Sequence, residues 1–160
     1  VPAGDALAFL IHRNTTHQEQ DMTRIEKVLY TGKVHITAGG RDGEARSDDG
    51  RLNVRLSSPG SRGAGTNPEQ LLAAGWSACF IGALGLAAGK MSVGLPPDLS
   101  VDAEVDLGRA GEAYLLQARL NVRIPGIERA VAQALVDTAH QTCPYSKALG
   151  ANIHVETRLV

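Results

Sequence analysis

Cysteine is scarce in this sequence. Two residues in 160 are too few for the stapled frameworks of small secreted domains. Aromatic residues make up only 4% of the chain, which argues against stacking platforms for nucleic-acid bases. Charge of one sign is also missing: the formal net charge is −1, and acidic and basic residues are interspersed. No basic stripe or acidic tail marks a nucleic-acid or anionic membrane partner, and neither is expected. The first ten residues carry no basic leader, and the apolar run 6–11 is shorter than the core of a secretory signal. The protein is therefore expected in the cytoplasm, where a cysteine pair is more often redox-active or metal-binding than structural.

What the chain does have is apolar residues, 43% of the total, enough for one domain with a real core. Residues 1–21 stand apart. His12, Asn14, Thr15, Thr16, His17 and Gln18 form a polar stretch without periodicity. This segment reads as a disordered upstream extension, native or introduced with the expression vector, and 22–160 as a single domain beginning at Met22. The uncharged run 71–89 approaches the length of a membrane span. Its Ala- and Gly-rich composition instead predicts a central helix buried on all sides by its own protein.

Alternation of Val28, Tyr30, Gly32, Val34 and Ile36 predicts a strand over 26–38, and that of Leu52, Val54 and Leu56 a second. Between them 39–43 is a turn, and 57–65 is a Ser/Gly/Pro loop. Thr66-Asn67-Pro68-Glu69 announces a helix: Asn67 or Thr66 as cap, Pro68 in the first turn, Glu69 at the positive end of the dipole, and capping-box spacing from Thr66 to Glu69. The helix is predicted to run to about Lys90, with Gly82, Gly85 and Gly89 allowing close approach of a second helix. Pro96 and Pro97 break the chain. Strands over 100–107 and 113–124 follow, joined by a turn at 108–111, then a helix over 127–141. The inner stripe of that helix reads as Ile127, Ala130, Val131, Ala134, Leu135 and Thr138. Pro144 ends it and leaves Cys143 at its exit. A last strand covers Ile153, Val155 and 157–159. Strands and helices in this order define an α+β fold.

Taken alone, Cys79 is a mid-helix cysteine in apolar sequence, and such residues are usually inert. Cys143, at a helix end beside Pro144, has the mobility that a resolving thiol requires. Glu69 precedes Cys79 by ten residues, about 15 Å along a helix, so the two cannot touch along it. The pattern alone favours a plain acid at the helix N-terminus, and the alternative is a carboxylate that grips an arginine reaching the thiol. Arg41, Arg46, Arg51, Arg55 and Arg62 are all candidates, and the residues do not choose between them. His140 and Cys143, three apart, are too few for a structural zinc site. No orienting partner suggests a Cys–His hydrolase, and no phosphate-cradling loop is present.

Together the motifs resemble the organic hydroperoxide resistance (Ohr) proteins of the OsmC-like superfamily. The matching segments are Lys27-Val28-Leu29-Tyr30-Thr31, Gly39-Gly40-Arg41-Asp42-Gly43, the block from Gly63 through Thr66-Asn67-Pro68-Glu69-Gln70 and Trp76-Ser77-Ala78-Cys79-Phe80, and His140-Gln141-Thr142-Cys143-Pro144-Tyr145-Ser146. Lys147 stands where relatives commonly have asparagine, and the 57–65 loop is shorter than in many of them.

The resemblance implies an OsmC-like fold: antiparallel sheets wrapped around two long central helices in an intertwined homodimer. It implies Cys79 as the peroxidatic thiolate and Cys143 as the thiol that closes a disulfide with it. Arg41 would then stabilise the thiolate and orient the peroxide, and Glu69 would hold Arg41. It further implies organic hydroperoxides as substrates, a dihydrolipoyl-bearing protein as reductant, and no metal or organic cofactor. An OsmC-type enzyme with broader peroxide use and a non-catalytic thiol redox sensor are the alternatives. The peroxide that Cys79 meets is expected to face an apolar wall of Leu72, Trp76, Phe80 and Ala83.

Overall fold

A computed structural model describes residues 24–160, so the expectation for 1–21 lies outside the described residues. Residues 24–32 belong to a separate unit without helix or strand, and 33–160 form a compact unit of their own. In sequence order the compact unit contains β1 (Val34–Ile36), β2 (Glu44–Ser47), β3 (Asn53–Arg55), α1 (Pro68–Met91), β4 (Ser100–Ala110), β5 (Ala113–Arg123), α2 (Arg129–Thr142), α3 (Pro144–Leu149) and β6 (His154–Leu159). This is the α+β arrangement predicted.

The strands form two three-stranded sheets, β1-β2-β3 and β4-β5-β6. The first sheet and the β4–β5 hairpin are antiparallel, whereas β6 runs parallel to β5. That exception to antiparallel sheets follows from connectivity, because α2 and α3 intervene between β5 and β6 and bring the chain back to the same end. The predicted strand over 26–38 is reduced to Val34–Ile36. Only those three residues find partners on β2, and alternation without a partner does not make a strand. The hairpin strands extend further than expected, to Ala110 and from Ala113, which tightens the turn to Gly111, at φ +59°, and Glu112.

Helix α1 starts where its capping residues say. Asn67 accepts a 2.9 Å hydrogen bond from the Gln70 amide, and Pro68 opens the helix. The capping box does not form, because Thr66 Oγ1 donates to Gln70 Oε1 and Glu69 is engaged elsewhere. In α2 the buried residues are Ala132, Leu135, Val136 and Ala139, a stripe rotated by about one residue from the predicted one. The Glu128 carboxylate caps α2 at the Ala130 and Val131 amides, which moves the start past Ile127. Helix α3 was not expected. Pro144, which stops α2, sits in the first turn of α3, where a missing amide costs nothing.

The core lies between α1, α2 and the β4-β5-β6 sheet. Trp76, Phe80, Leu84, Leu120, Val122, Leu135 and Val136 are fully buried there, each contributing about 1.5–3 kcal/mol. The expectation that α1 is buried on all sides is corrected: α1 is long and apolar enough to cross a bilayer, yet only 33% of its most apolar stretch is covered. Ala74, Ala78, Ile81, Gly85 and Gly89 form an exposed stripe at helical spacing, and nothing lies within 4 Å of a side chain built at Gly82, Gly85 or Gly89. Among the described residues no second helix approaches them.

Candidate active site

Four pairs of residues fix α1 against α2 and α3. Gly75 faces Tyr145, whose hydroxyl would lie 3.1 Å from a Cβ at that position. Trp76 Nε1 donates a 3.0 Å hydrogen bond to Ser146 Oγ in the interior. The Phe80 and His140 rings meet edge to face at 5.7 Å. Between these contacts, Cys79 Sγ and Cys143 Sγ lie 3.2 Å apart as free thiols. Cys143 is the residue at which α2 ends and α3 begins. It is fully buried, while Cys79 is partly exposed.

Burial pushes the Cys79 thiol up from its ordinary pKa; the Tyr145 backbone amide, donating to it, pulls the other way, and the neighbouring Cys143 thiol adds to the rise. Burial also lowers the His140 pKa, against Asp137, and its Nε2 lies 3.0 Å from Thr157 Oγ1.

The second cluster stands at the foot of α1. Arg41 lies in a single 3-10 turn, Gly40–Asp42, and reaches Glu69 with both guanidinium arms: Nη1 to Oε2 at 3.0 Å and Nη2 to Oε1 at 2.5 Å. This bidentate pair holds Glu69 below the usual carboxylate range and raises Arg41. Asp42 accepts from the Ser58 amide at 2.8 Å and from its hydroxyl at 2.9 Å, tying the 57–65 loop to the same turn. The turn requires its glycines. Gly40 has φ +52°, and a Cβ on Gly43 would meet Thr37 Oγ1 at 2.5 Å.

Of the arginines left open by sequence, Arg41 is the one that Glu69 grips. Arg51 pairs with Asp49 and Arg55 with Glu44, both at exposed positions. The four expected site residues therefore fall into two pairs, Arg41–Glu69 and Cys79–Cys143, joined by α1. No cation is among the groups that shift the Cys79 thiol. The expected apolar wall is also corrected, because Trp76, Phe80 and Ala83 are core residues turned away from solvent. The helix face that carries Cys79 instead offers Leu72, Gly75, Gly82 and Leu86, of which Leu86 is 61% exposed.

A cleft of about 550 Å³ lies beside Glu69, walled by Gln70, Ala73, residues 103–107 of β4 and Arg119 of β5; the thiols do not line it. Arg119 bridges Glu104 at 2.6 Å and Asp106 at 2.7 Å, and holds Asp106 down to about 2. Sequence reading missed this network, although Glu104 and Asp106 alternate along one face of β4 opposite Arg119 and Gln117. It also missed the Tyr145 amide and the Trp76–Ser146 bond, whose partners are 70 residues apart. Among the described residues, no group of three His, Cys, Asp or Glu is placed to hold a metal ion.

Glu69 is a depressed carboxylate, so the stability its pairing contributes is present above the unfolded-state pKa and disappears as pH falls through the lower folded-state value. Glu69→Gln is expected to lower the melting temperature near neutrality, and the difference from wild type should shrink as pH falls below the ordinary carboxylate range and disappear only below the lower folded-state value. Arg41→Ala should produce the same loss, and the double substitution little more. Melts from pH 7 to pH 2 check this; a constant difference at every pH, or fully additive losses, would show that the pair contributes nothing to stability.

A bidentate Arg–Glu clamp at the start of an apolar helix and a partly exposed thiol touching a buried one further along it define a dithiol site. The chain belongs to the OsmC-like protein family, whose model matches residues 58–158, and within that family to the organic hydroperoxide resistance proteins. It is 46% identical over 143 residues to the organic hydroperoxide resistance protein of Xanthomonas axonopodis pv. citri, covering 86% of this chain and 99% of the relative. The crystal structure of the organic hydroperoxide resistance protein OhrB of Bacillus subtilis superposes with a TM-score of 0.78 at 38% identity, over 83% of this chain and all of that one. An organic hydroperoxide resistance protein from Legionella pneumophila gives 0.77 at 38% identity, over 83% and 98%.

Proposed function

We propose that the protein is a thiol peroxidase that reduces organic hydroperoxides to alcohols. The Cys79 thiolate attacks the outer oxygen of RO–OH, the O–O bond breaks, the alcohol leaves, and Cys79 becomes a sulfenic acid. Cys143 then attacks that sulfur, water leaves, and a Cys79–Cys143 disulfide closes. A dihydrolipoyl dithiol on a partner protein supplies the two electrons that reopen it. The observation that carries this reading is the 3.2 Å contact between a partly exposed and a buried thiol, because closure to about 2.0 Å needs little movement. Arg41 orients the peroxide and favours the thiolate, and Glu69 fixes its guanidinium.

The working unit of this reading is a homodimer in the cytoplasm. Its support is the uncovered stripe of Ala74, Ala78, Ile81, Gly85 and Gly89 on α1, together with exposed Val34 and Ile36 on β1. Such apolar surface is ordinarily covered by a partner, and small residues let two helix backbones come close.

Beside Cys79, an alkyl chain lying over Gly82 toward Leu86 finds apolar surface that hydrogen peroxide cannot use. Burying roughly 100 Å² of alkyl area contributes about 2.5 kcal/mol, close to a hundredfold if it is expressed in the transition state. Alkyl and fatty-acid hydroperoxides are therefore expected to exceed hydrogen peroxide in kcat/KM by that order. Steady-state kinetics with hydrogen peroxide, tert-butyl hydroperoxide and a lipid hydroperoxide decide it. Equal values across the three would remove the organic substrate from the proposal.

A further inference from the structure

We infer that the thiol which reduces the oxidised protein attacks the sulfur of Cys79 and expels Cys143, so that the mixed disulfide always forms on Cys79. The inference rests on the reading that the two cysteines cycle through a disulfide, and it goes beyond that reading in assigning unequal roles to the two sulfurs in the reductive half of the cycle.

Thiol–disulfide exchange depends on which sulfur the attacking thiolate can reach. The nucleophile must approach in line with the bond that breaks, from the side opposite the leaving sulfur. For attack on Cys143, that side is the interior. Cys143 has no exposed surface and belongs to the core cluster with Trp76, Phe80, Leu135 and Ala139. Three contacts flank it, Gly75–Tyr145, Trp76–Ser146 and Phe80–His140, and pack the α1 face around the sulfur. A cleft of about 520 Å³ is walled by Asp137, His140, Gln141, Ser146 and Gly150, residues that bracket Cys143 in sequence, yet the sulfur remains fully covered.

For attack on Cys79 the geometry is reversed. Cys143 lies on its core side, so the in-line approach comes from solvent. Gly82, one turn along α1, leaves open space there. Any peroxide that reaches Cys79 must use this same opening, so it remains available in whatever assembly is catalytically active.

One thiolate of the dithiol bonds to Cys79 Sγ, the Cys79–Cys143 bond breaks, and its electron pair departs on Cys143 Sγ, which takes up a proton. The second thiolate then attacks the reductant's own sulfur, closing a cyclic disulfide and releasing the Cys79 thiolate. Peroxide and dithiol must therefore occupy the same opening in turn, which imposes ping-pong kinetics with each substrate inhibiting competitively against the other at high concentration.

The test uses 2-mercaptoethanol and its disulfide. Oxidised wild type is mixed with excess 2-mercaptoethanol and quenched in acid, which stops exchange by protonating thiolates, and its peptides are mapped by mass. The adduct is expected on the Cys79 peptide with Cys143 free. In parallel, the folded single-cysteine variants Cys143→Ser and Cys79→Ser are treated with the disulfide, where no second thiol can remove the adduct. Cys79 should be modified at least about tenfold faster than Cys143. An adduct mainly on Cys143, or equal rates in the two variants, overturns the inference. Neither arm contains peroxide, so failure here is separable from failure of the peroxidase reading, which peroxide consumption by wild type tests independently.

Discussion

Cys79→Ser is expected to reduce dithiol-driven peroxide consumption to the rate of peroxide and dithiol without protein. A serine hydroxyl stays protonated near neutral pH and offers no anion comparable to a thiolate. The substitution changes one atom on a helix whose cap, core contacts and neighbours are otherwise untouched, so the fold should persist. The thiol pKa makes the prediction more demanding. Burial raises it, and only the Tyr145 amide is among the groups opposing that rise. The thiolate must then gain its stabilisation when the site is completed by Arg41, by a second copy of the chain, or by the substrate. Steady-state assays with reduced lipoamide, accompanied by circular dichroism of the variant, provide the check. Retained turnover in a folded Cys79→Ser protein would remove this residue from the mechanism.

Cys143→Ser should behave differently. Its Cys79 can still take an oxygen from one equivalent of hydroperoxide, because nothing in that step uses the second sulfur. The sulfenic acid then has no neighbour at 3.2 Å to condense with, and further peroxide converts it to sulfinic and sulfonic acids that dithiols do not reduce. Turnover is expected to begin and then collapse as peroxide is raised, with intact mass recording two and then three added oxygens on Cys79. Sustained turnover at excess peroxide would mean that the sulfenic acid is protected in some other way.

Much of this site was legible because it is local in sequence. The Asn67-Pro68 start of α1, the Gly39–Gly43 turn and the stop at Pro144 each follow from the backbone preferences of a few adjacent residues, and the structure has all three. The choice of Arg41 was not legible from periodicity or charge. Five arginines were equivalent until the fold brought one of them to Glu69 across 28 positions, and only the resemblance to a family singled it out. The missed features are non-local as well. The Trp76–Ser146 bond and the parallel pairing of β6 depend on how α2 and α3 return the chain. The rotated stripe on α2 has a simpler origin. Ile127 and Val131 invited a face that included them, whereas the helix starts at Arg129 and packs through Ala132, Leu135, Val136 and Ala139. Composition described α1 correctly as an apolar helix but could not say what covers it, and an Ala/Gly stripe suits its own core and a second copy equally.

The proposed cycle depends on one covalent event: a hydroperoxide converting the Cys79–Cys143 contact into a bond within a single chain. Reduced wild type is treated with one equivalent of an alkyl hydroperoxide, and unreacted thiols are blocked with an alkylating reagent. Intact mass and peptide mapping are then read without reduction. The predicted result is a chain lighter by two hydrogens, carrying no alkyl label, with the Cys79 and Cys143 peptides joined. Two labelled thiols after the peroxide is consumed, or disulfides only between chains, would contradict it.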